Sequence, residues 1–163
     1  MVIEAVLFDL DGTLIDTTDI MHLRDERKWR ECAQSAHRTL LYPGVQELLR
    51  ELENRGIQWA VVTNVVSNYA NALLRHHDLK NEKIIAYHDV QQHKPHPEGC
   101  LKALQQLGVS PAAALGVGDL ASDRDAFLSA GLPAFCAGWN GQSDLTGPWS
   151  AILRYPRDLV TFL

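Results

Sequence analysis

The sequence predicts an α/β domain with a Rossmann-like parallel sheet flanked by helices. Short apolar runs at residues 2–8, 57–62, 83–87, 112–117 and 132–136 have the length and composition of buried strands, which predicts about five strands. Amphipathic segments separate most of these runs, so strand and helix alternate along the chain. Parallel strands joined by helices of this kind are buried on both faces, with helices on each side of the sheet.

Composition narrows the class of protein. Hydrophobic residues make up 46% and charged residues 21% of the 163 residues, which is ordinary for a globular domain. A net charge of −5 without clustered Lys or Arg argues against a nucleic-acid partner. No apolar run approaches the ~18 residues of a membrane span, so no membrane partner is expected. The first strand begins at once, without the pattern of a signal peptide, and we expect one cytoplasmic domain over residues 1–163.

The three cysteines agree with that compartment. Cys32, Cys100 and Cys136 are odd in number, widely separated and lack Cys-x-x-Cys spacing. This pattern predicts buried thiols in a reducing environment, because disulfide frameworks and zinc sites need paired or closely spaced cysteines.

The polar end of the first strand predicts a cation site. Asp9 and Asp11 follow the apolar run, and Gly12 and Thr13 come next. Side chains two apart in an extended chain point to the same side, so the two carboxylates face one point, roughly 6–7 Å apart. Like charges this close repel unless a cation or a shared proton intervenes, and Mg²⁺ suits such oxygen ligands. The plainer alternative is an acidic turn after a buried strand.

Residues 14–42 are the least patterned part of the chain. They have room for one long helix or two short ones, with Thr17, Thr18 or Asp19 as N-cap. Later helices are predicted over residues 43–56, 68–77, 98–107 and 124–130, with Ser67 as an N-cap, and a short one over residues 156–163. Four apolar side chains, Trp29, Leu40, Leu41 and Trp139, are expected either to pack or to face a ligand.

Polar residues also follow three later strands. Thr63 and Asn64 end the second strand, and Lys94 stands on a proline-rigidified backbone just before a helix N-terminus, where an anion would meet free N–H groups. Asp119 and Asp123 follow the fourth strand and lie four residues apart, so one helical turn brings both to one face. Asp123 is alternatively an ordinary first-turn acid that complements the helix dipole.

These residues together resemble the four motifs of the haloacid dehalogenase superfamily. The chain carries Asp-x-Asp-Gly-Thr from residue 9, a hydroxyl at residue 63, Lys-Pro-x-Pro from residue 94 and Gly-Asp-x-x-x-Asp from residue 118. All four occur in the family's order, which is far more specific than any one of them. The resemblance extends to its phosphatase branch, and phosphoglycolate phosphatases are the most similar members.

The resemblance implies a role for each matched residue. Asp9 would be the nucleophile that takes the phosphoryl group, and Asp11 the general acid and base. Thr63 would hydrogen-bond a phosphate oxygen, with Asn64 beside it as a backbone donor or substrate contact. Lys94 would pair with the nucleophile and with the transferring phosphate.

The resemblance also implies a bound metal and a cap. Mg²⁺ would be held by Asp9, Asp11, Asp119 and Asp123, the last of these acting through water or by holding Lys94. Residues 14–42 would form a reduced helical cap on a single haloacid dehalogenase-like domain. The implied substrate is a small-molecule phosphate monoester, and a homo-oligomer that supplies the missing cover is left open.

Several alternatives remain at this point. A C–halogen hydrolase is disfavoured because those enzymes lack the acid at position 11, and a phosphomutase would need a larger cap. A phospho-signalling receiver domain gathers acids, a threonine and a lysine on a similar sheet, but its acceptor aspartate lies near the middle of the chain. A catalytically silent binding domain is harder to exclude.

Overall fold

A parallel sheet of six strands forms the centre of the molecule, whose computed structural model describes residues 2–79 and 83–163. The strands of the described residues are β1 (Ala5–Phe8), β2 (Ile15–Asp16), β3 (Leu40–Leu41), β4 (Gln58–Val62), β5 (Ile84–Ile85), β6 (Ala114–Gly118), β7 (Ala134–Ala137) and β8 (Ala151–Leu153). Of these, β2 and β3 form a separate pair outside the six-stranded sheet. The helices are α1 (Met21–Asp25), α2 (Trp29–Gln34), α3 (Val45–Asn54), α4 (Ser67–His76), α5 (Glu98–Leu107) and α6 (Ala121–Ser129). The sheet order is β5-β4-β1-β6-β7-β8, and every pair is parallel.

This architecture confirms the predicted fold class and corrects its details. The sheet has six strands, because β8 adds an edge strand after the fifth predicted one. The third strand is only Ile84–Ile85, and Tyr87–Asp89 turns away as a 3-10 helix. The final segment Pro156–Phe162 is also a 3-10 helix.

The central strand β1 separates two layers of core. Val6 and Phe8 point to one face, where α3, α4 and the C-terminal 3-10 helix pack. Ala5 and Leu7 point to the opposite face, which α5 and α6 cover. All four side chains are fully buried, as expected for a strand covered by helices on both sides.

Residues 14–42 fold as a hairpin that carries two short helices. Strands β2 and β3 pair antiparallel, and α1 and α2 lie between them. Ile15, Ile20 and Cys32 are fully buried in the same core as β1. Trp29 packs on Tyr69 of α4, with ring centroids 5.7 Å apart, whereas Leu40 is 69% exposed. The segment is therefore docked on the domain.

Two helices begin earlier than predicted. The N-cap of α4 is Val66, so Ser67 is the first helical residue and makes no capping hydrogen bond. Helix α6 begins at Ala121, three residues earlier than predicted, which places Asp123 in its first turn.

The three cysteines are buried and free, as predicted. Within the described ranges, no helix is long and apolar enough to cross a membrane.

Candidate active site

The carboxyl ends of three neighbouring strands bring the predicted residues together. Asp9 follows β1, Thr63 follows β4 and Asp119 follows β6, and these strands are adjacent in the sheet. Lys94 precedes α5, and Asp123 projects from α6. All five residues are at most 8% exposed. Parallel strands end at one edge of a sheet, and this topology explains why residues 85 positions apart in the chain, Asp9 and Lys94, come into contact.

Lys94 joins two of the acids. Its Nζ donates hydrogen bonds to Asp9 Oδ1 at 2.8 Å, to Asp123 Oδ1 at 2.5 Å and to the carbonyl oxygen of Val62 at 2.7 Å. Burial acts to lower the pKa of Lys94, but the carboxylates of Asp123 and Asp9 raise it well above its ordinary value. The ammonium therefore stays charged and fixes both carboxylates.

Asn64 fixes the backbone that carries this lysine. Its amide Nδ2 donates to the carbonyl oxygen of Lys94, and its Oδ1 accepts from the Lys94 N–H, both at 3.1 Å. Its side chain is thus committed to the lysine loop. The hydroxyl of Thr63 accepts from the N–H of Val65 at 3.2 Å and also lines the cavity beside Asp9.

Asp9, Asp119 and Asp123 form a group with the composition of a metal site. One oxygen from each lies within 4.8 Å of the others. Burial, together with the charges of Asp9 and Asp123, raises the pKa of Asp119 to about 9, which reflects an excess of buried negative charge. A hard dication such as Mg²⁺ would offset that charge. The carboxylate of Asp11, predicted as a fourth ligand, is not part of this group.

The loop after β1 is shaped around Asp119. Gly12 has φ +80°, and a Cβ there would overlap the Asp119 carboxylate, so the position requires glycine on both counts. Thr13 Oγ1 and Asn140 Nδ2 donate to the two Asp119 oxygens at 3.4 and 3.3 Å. Trp139 donates its Nε1–H to the carbonyl of Thr13 at 2.9 Å and packs against the core.

Asp123 contacts both the start of α6 and the side chain of Lys94. Its Oδ2 accepts from the N–H groups of Asp119 and Leu120 at 3.2 and 3.1 Å, which satisfies free donors at the start of α6. Its Oδ1 holds Lys94. The same carboxylate therefore starts the helix and positions the lysine.

Asp11 is held by residues that the sequence did not indicate as site residues. Its Oδ1 accepts from the Tyr69 hydroxyl at 2.6 Å and from Thr17 Oγ1 at 2.7 Å, and Arg24 Nε lies 3.4 Å away. Burial and the charge of Asp11 raise the pKa of Tyr69 well above its ordinary value, so the phenol remains a donor. Asp11 Oδ2 is buried and has no hydrogen-bond partner among residues 2–79 and 83–163. The protein therefore engages one oxygen of this carboxylate and leaves the other unpaired.

Two cavities meet at Asp11. The smaller, about 90 Å³, lies against Asp9, Thr63 and Lys94, and the larger, about 210 Å³, lies on the side of Thr17 and Asn140. Asp11, Arg24 and Leu120 line both. A molecule that reaches from one cavity into the other must pass these three side chains.

The chain matches the family model of haloacid dehalogenase-like hydrolases over residues 21–137. It is 26% identical to the N-acetylmuramic acid 6-phosphate phosphatase of Pseudomonas aeruginosa, covering 100% of this chain and 96% of that protein. It is 32% identical to the phosphoglycolate phosphatase of Escherichia coli, over 67% of this chain but only 43% of that protein. The first alignment spans 216 positions, so that relative has segments that this 163-residue chain lacks.

Solved structures agree on the fold. A haloacid dehalogenase-superfamily hydrolase of Geobacter sulfurreducens superposes with a TM-score of 0.80 at 24% identity, covering 99% of this chain and 100% of that one. A phosphatase of the same superfamily from Thermococcus onnurineus gives a TM-score of 0.79 at 21% identity, covering 98% and 97%. The chain belongs to the haloacid dehalogenase-like hydrolase family and is an enzyme of its phosphatase branch.

Proposed function

We propose that this protein is a Mg²⁺-dependent phosphatase that hydrolyses small-molecule phosphate monoesters through an aspartyl phosphate on Asp9. The observation that carries the proposal is the contact of Lys94 Nζ with both Asp9 and Asp123, beside the carboxylate of Asp119. A nucleophilic carboxylate, a fixed cation and a group of acidic ligands at one point are the parts that phosphoryl transfer needs.

In the first step Asp9 attacks phosphorus and the bond from phosphorus to the ester oxygen breaks. Asp11 gives the proton on Oδ2 to the departing oxygen, so the alcohol leaves neutral and Asp11 becomes a carboxylate. Lys94 and the hydroxyl of Thr63 bind the phosphoryl oxygens, whose negative charge is spread over three atoms. Asn64 keeps Lys94 in place through its main-chain hydrogen bonds.

In the second step a water molecule attacks the same phosphorus. Asp11 takes a proton from that water, and the bond between phosphorus and the Asp9 oxygen breaks. Phosphate leaves, and both carboxyl groups return to their starting states. One residue thus serves as acid and then as base, with its orientation unchanged because Tyr69 and Thr17 hold its other oxygen.

The acidic group supports a Mg²⁺ site on Asp9 and Asp119. Asp123 would complete that site through water, because Lys94 holds one of its oxygens and two N–H groups hold the other. The bound ion would supply charge neutralisation at the phosphoryl oxygens. Asp11 was predicted as a fourth ligand; with its Oδ1 held by Tyr69 and Thr17, its side chain is better suited to proton transfer than to the metal.

The relatives support a small substrate. Their names, N-acetylmuramic acid 6-phosphate phosphatase and phosphoglycolate phosphatase, each specify a small phosphate ester. Residues 14–42 would act as the reduced cap, since Thr17, Met21 and Arg24 line the larger cavity. A cytoplasmic location and an oligomer that completes the cover remain part of this proposal.

The test is hydrolysis of p-nitrophenyl phosphate and a mixed panel of phosphate esters, with and without Mg²⁺. The wild-type protein should release phosphate only with the metal, and Asp9→Asn should abolish turnover while circular dichroism shows an intact fold. Asp19→Asn, the same change at an exposed residue outside the site, should retain activity. More than a few per cent of activity in Asp9→Asn would rule out the covalent mechanism. No turnover of any ester by the wild-type protein would favour a catalytically silent domain.

A further inference from the structure

Asn140 connects the loops that follow β1 and β6. It ends the 3-10 helix Gly138–Asn140 after β7, and it is half-buried in the wall of the larger cavity. Its amide Nδ2 donates hydrogen bonds to the carbonyl oxygen of Gly12 at 2.6 Å and to Asp119 Oδ2 at 3.3 Å. One side chain from a third loop therefore contacts both loops that carry the acidic group.

The amide of Asn140 has one orientation that satisfies its neighbours. The N–H of Gln142 donates to Asn140 Oδ1 at 2.6 Å, and the hydroxyl oxygen of Ser143 lies 2.9 Å from the same atom. An asparagine side chain offers two N–H donors and one acceptor oxygen. Because the oxygen is engaged by Gln142, the two donors are directed at Gly12 and Asp119.

The same segment also holds the main chain of Asp119. The N–H of Asp144 donates to the carbonyl oxygen of Asp119 at 2.8 Å. A Cβ at Gly12 would overlap the Asp119 carboxylate and would lie 3.3 Å from Asn140 Nδ2, so glycine allows the three groups to converge. Residues 138–144 therefore fix Asp119 through both its carboxylate and its backbone.

We propose that Asn140 is a positioning residue for the Mg²⁺ site, which holds the Asp119 carboxylate and the main chain after Asp11 in place for the ion. The inference rests on the proposed function and concerns a residue that acts through Asp119. Groups that hydrogen-bond a metal ligand fix its orientation, and their loss typically lowers metal affinity or activity about 10- to 100-fold.

The charge at the site explains why a donor is needed there. Asp9, Asp119 and Asp123 are buried close together, so their carboxylates repel one another before a dication binds. A neutral amide that donates to Asp119 offsets part of this repulsion without competing with the ion for the carboxylate's charge. If Asn140 served only to anchor residues 138–144, its loss would lower stability but leave the affinity for Mg²⁺ unchanged.

The experiment follows thermal unfolding at increasing MgCl₂ concentration and constant ionic strength. An ion that binds only the folded protein raises Tm once its concentration exceeds the dissociation constant. Asn140→Ala should raise the dissociation constant of Mg²⁺ about 10-fold, at the low end of the usual range because the contact with Asp119 is long. The Mg²⁺ concentration that gives half-maximal hydrolysis of p-nitrophenyl phosphate should rise by the same factor, whereas kcat at saturating Mg²⁺ should change much less.

Two control variants make the test specific. Asn71→Ala is the same change at an exposed residue of α4 that lines neither cavity, and it should leave both the Mg²⁺ affinity and the rates unchanged. Tyr69→Phe removes a hydrogen bond to Asp11, whose carboxylate lies outside the acidic group. It should slow turnover without changing the affinity for Mg²⁺.

An unchanged Mg²⁺ affinity in Asn140→Ala, whatever its Tm without the ion, would overturn the inference and leave the phosphatase proposal intact. An equal loss of affinity in Tyr69→Phe would also overturn it, because the effect would then not depend on Asp119. Failure of the wild-type protein to bind Mg²⁺, or to hydrolyse any ester, would instead contradict the proposed function.

Discussion

Asp11 is oriented through one of its two carboxylate oxygens. Tyr69 and Thr17 both donate to Oδ1, while Oδ2 is buried and has no partner in the part of the chain that the structure describes. An oxygen that already accepts two hydrogen bonds has little capacity left for a proton, whereas its partner oxygen is free. In the proposed mechanism, this arrangement favours Oδ2 as the oxygen that carries the transferable proton.

Because Tyr69 helps to orient Asp11, we predict that Tyr69→Phe slows proton transfer from Asp11 to the leaving oxygen. The variant keeps the ring that packs on Trp29 but removes the hydroxyl. We expect kcat/KM for alkyl phosphates to fall about 10- to 100-fold, the worth of a hydrogen bond to a charged group. For p-nitrophenyl phosphate, whose leaving group needs no proton, the fall should be smaller. Kinetics over a series of leaving groups of increasing pKa measure the difference.

A double variant separates positioning from a general loss of structure. Asp11→Asn alone should slow alkyl phosphate hydrolysis by roughly 10²–10⁴-fold, the usual contribution of general acid–base catalysis. If Tyr69 acts through Asp11, adding Tyr69→Phe to Asp11→Asn should cause almost no further loss. Tyr155→Phe, the same change at an exposed residue, is the control. Fully additive losses would show that Tyr69 acts elsewhere.

The residues of the four motifs could be predicted from the sequence, but the contacts that hold their side chains in place could not. Asp9, Thr63, Lys94 and Asp119 stand in short motifs, and the order of those motifs is visible in the sequence. The structure brings them to one point, although their roles remain predictions. Tyr69 lies 58 residues from Asp11 on an amphipathic helix, where a buried tyrosine reads as ordinary core. Only the packing of α4 against α2, in the core that Phe8 shares, brings its hydroxyl to the site.

At the scale of elements, α6 approaches β6 more closely than any side chain at Gly116 would allow. A Cβ on this residue would overlap the ring of Phe127. The same helix carries Asp123, which holds Lys94. Close contact between strand and helix is thus a condition for the geometry of the site.

Gly116→Ala should therefore lower the free energy of unfolding by about 1–3 kcal/mol, the usual cost of overpacking a core. Urea denaturation measures this change. Phe127→Ala removes the three atoms that a Cβ at residue 116 would overlap, Cγ, Cδ1 and Cδ2, so the double variant should be less destabilised than the sum of the two single variants. Strict additivity would mean that the clash with Phe127 is not the cause.

Short elements were the ones that the sequence could not predict. The strand β8 is three residues long and follows a loop rich in Ser, Gly and Pro, so neither length nor alternation distinguishes it. Strands β2 and β3 have two residues each and exist because they pair with one another. Longer elements with clear periodicity, such as Glu98–Leu107, were predicted to the residue.

The whole molecule has little structure with which to enclose a substrate. Between β1 and α3, the chain offers one hairpin and two α-helices of five and six residues. This segment shares buried residues with the core, and Thr39 Oγ1 also lies 2.7 Å from His77 Nε2. It is built as a fixed wall on one side of the site, and substrate parts beyond Arg24 and Leu120 would meet few further groups.

We therefore expect the enzyme to be permissive about the alcohol half of its substrates. Contacts to remote parts of a substrate supply much of the discrimination between similar metabolites, and a closing lid adds most of them. With few such contacts, several phosphate monoesters, including some as large as nucleotides, should be hydrolysed with kcat/KM values within about two orders of magnitude, a spread of under ~3 kcal/mol in transition-state binding. A panel of monoesters assayed at one Mg²⁺ concentration, with the oligomeric state measured in parallel, tests this. One metabolite preferred by four orders of magnitude over all others would contradict it, and would indicate that a second subunit supplies the missing wall.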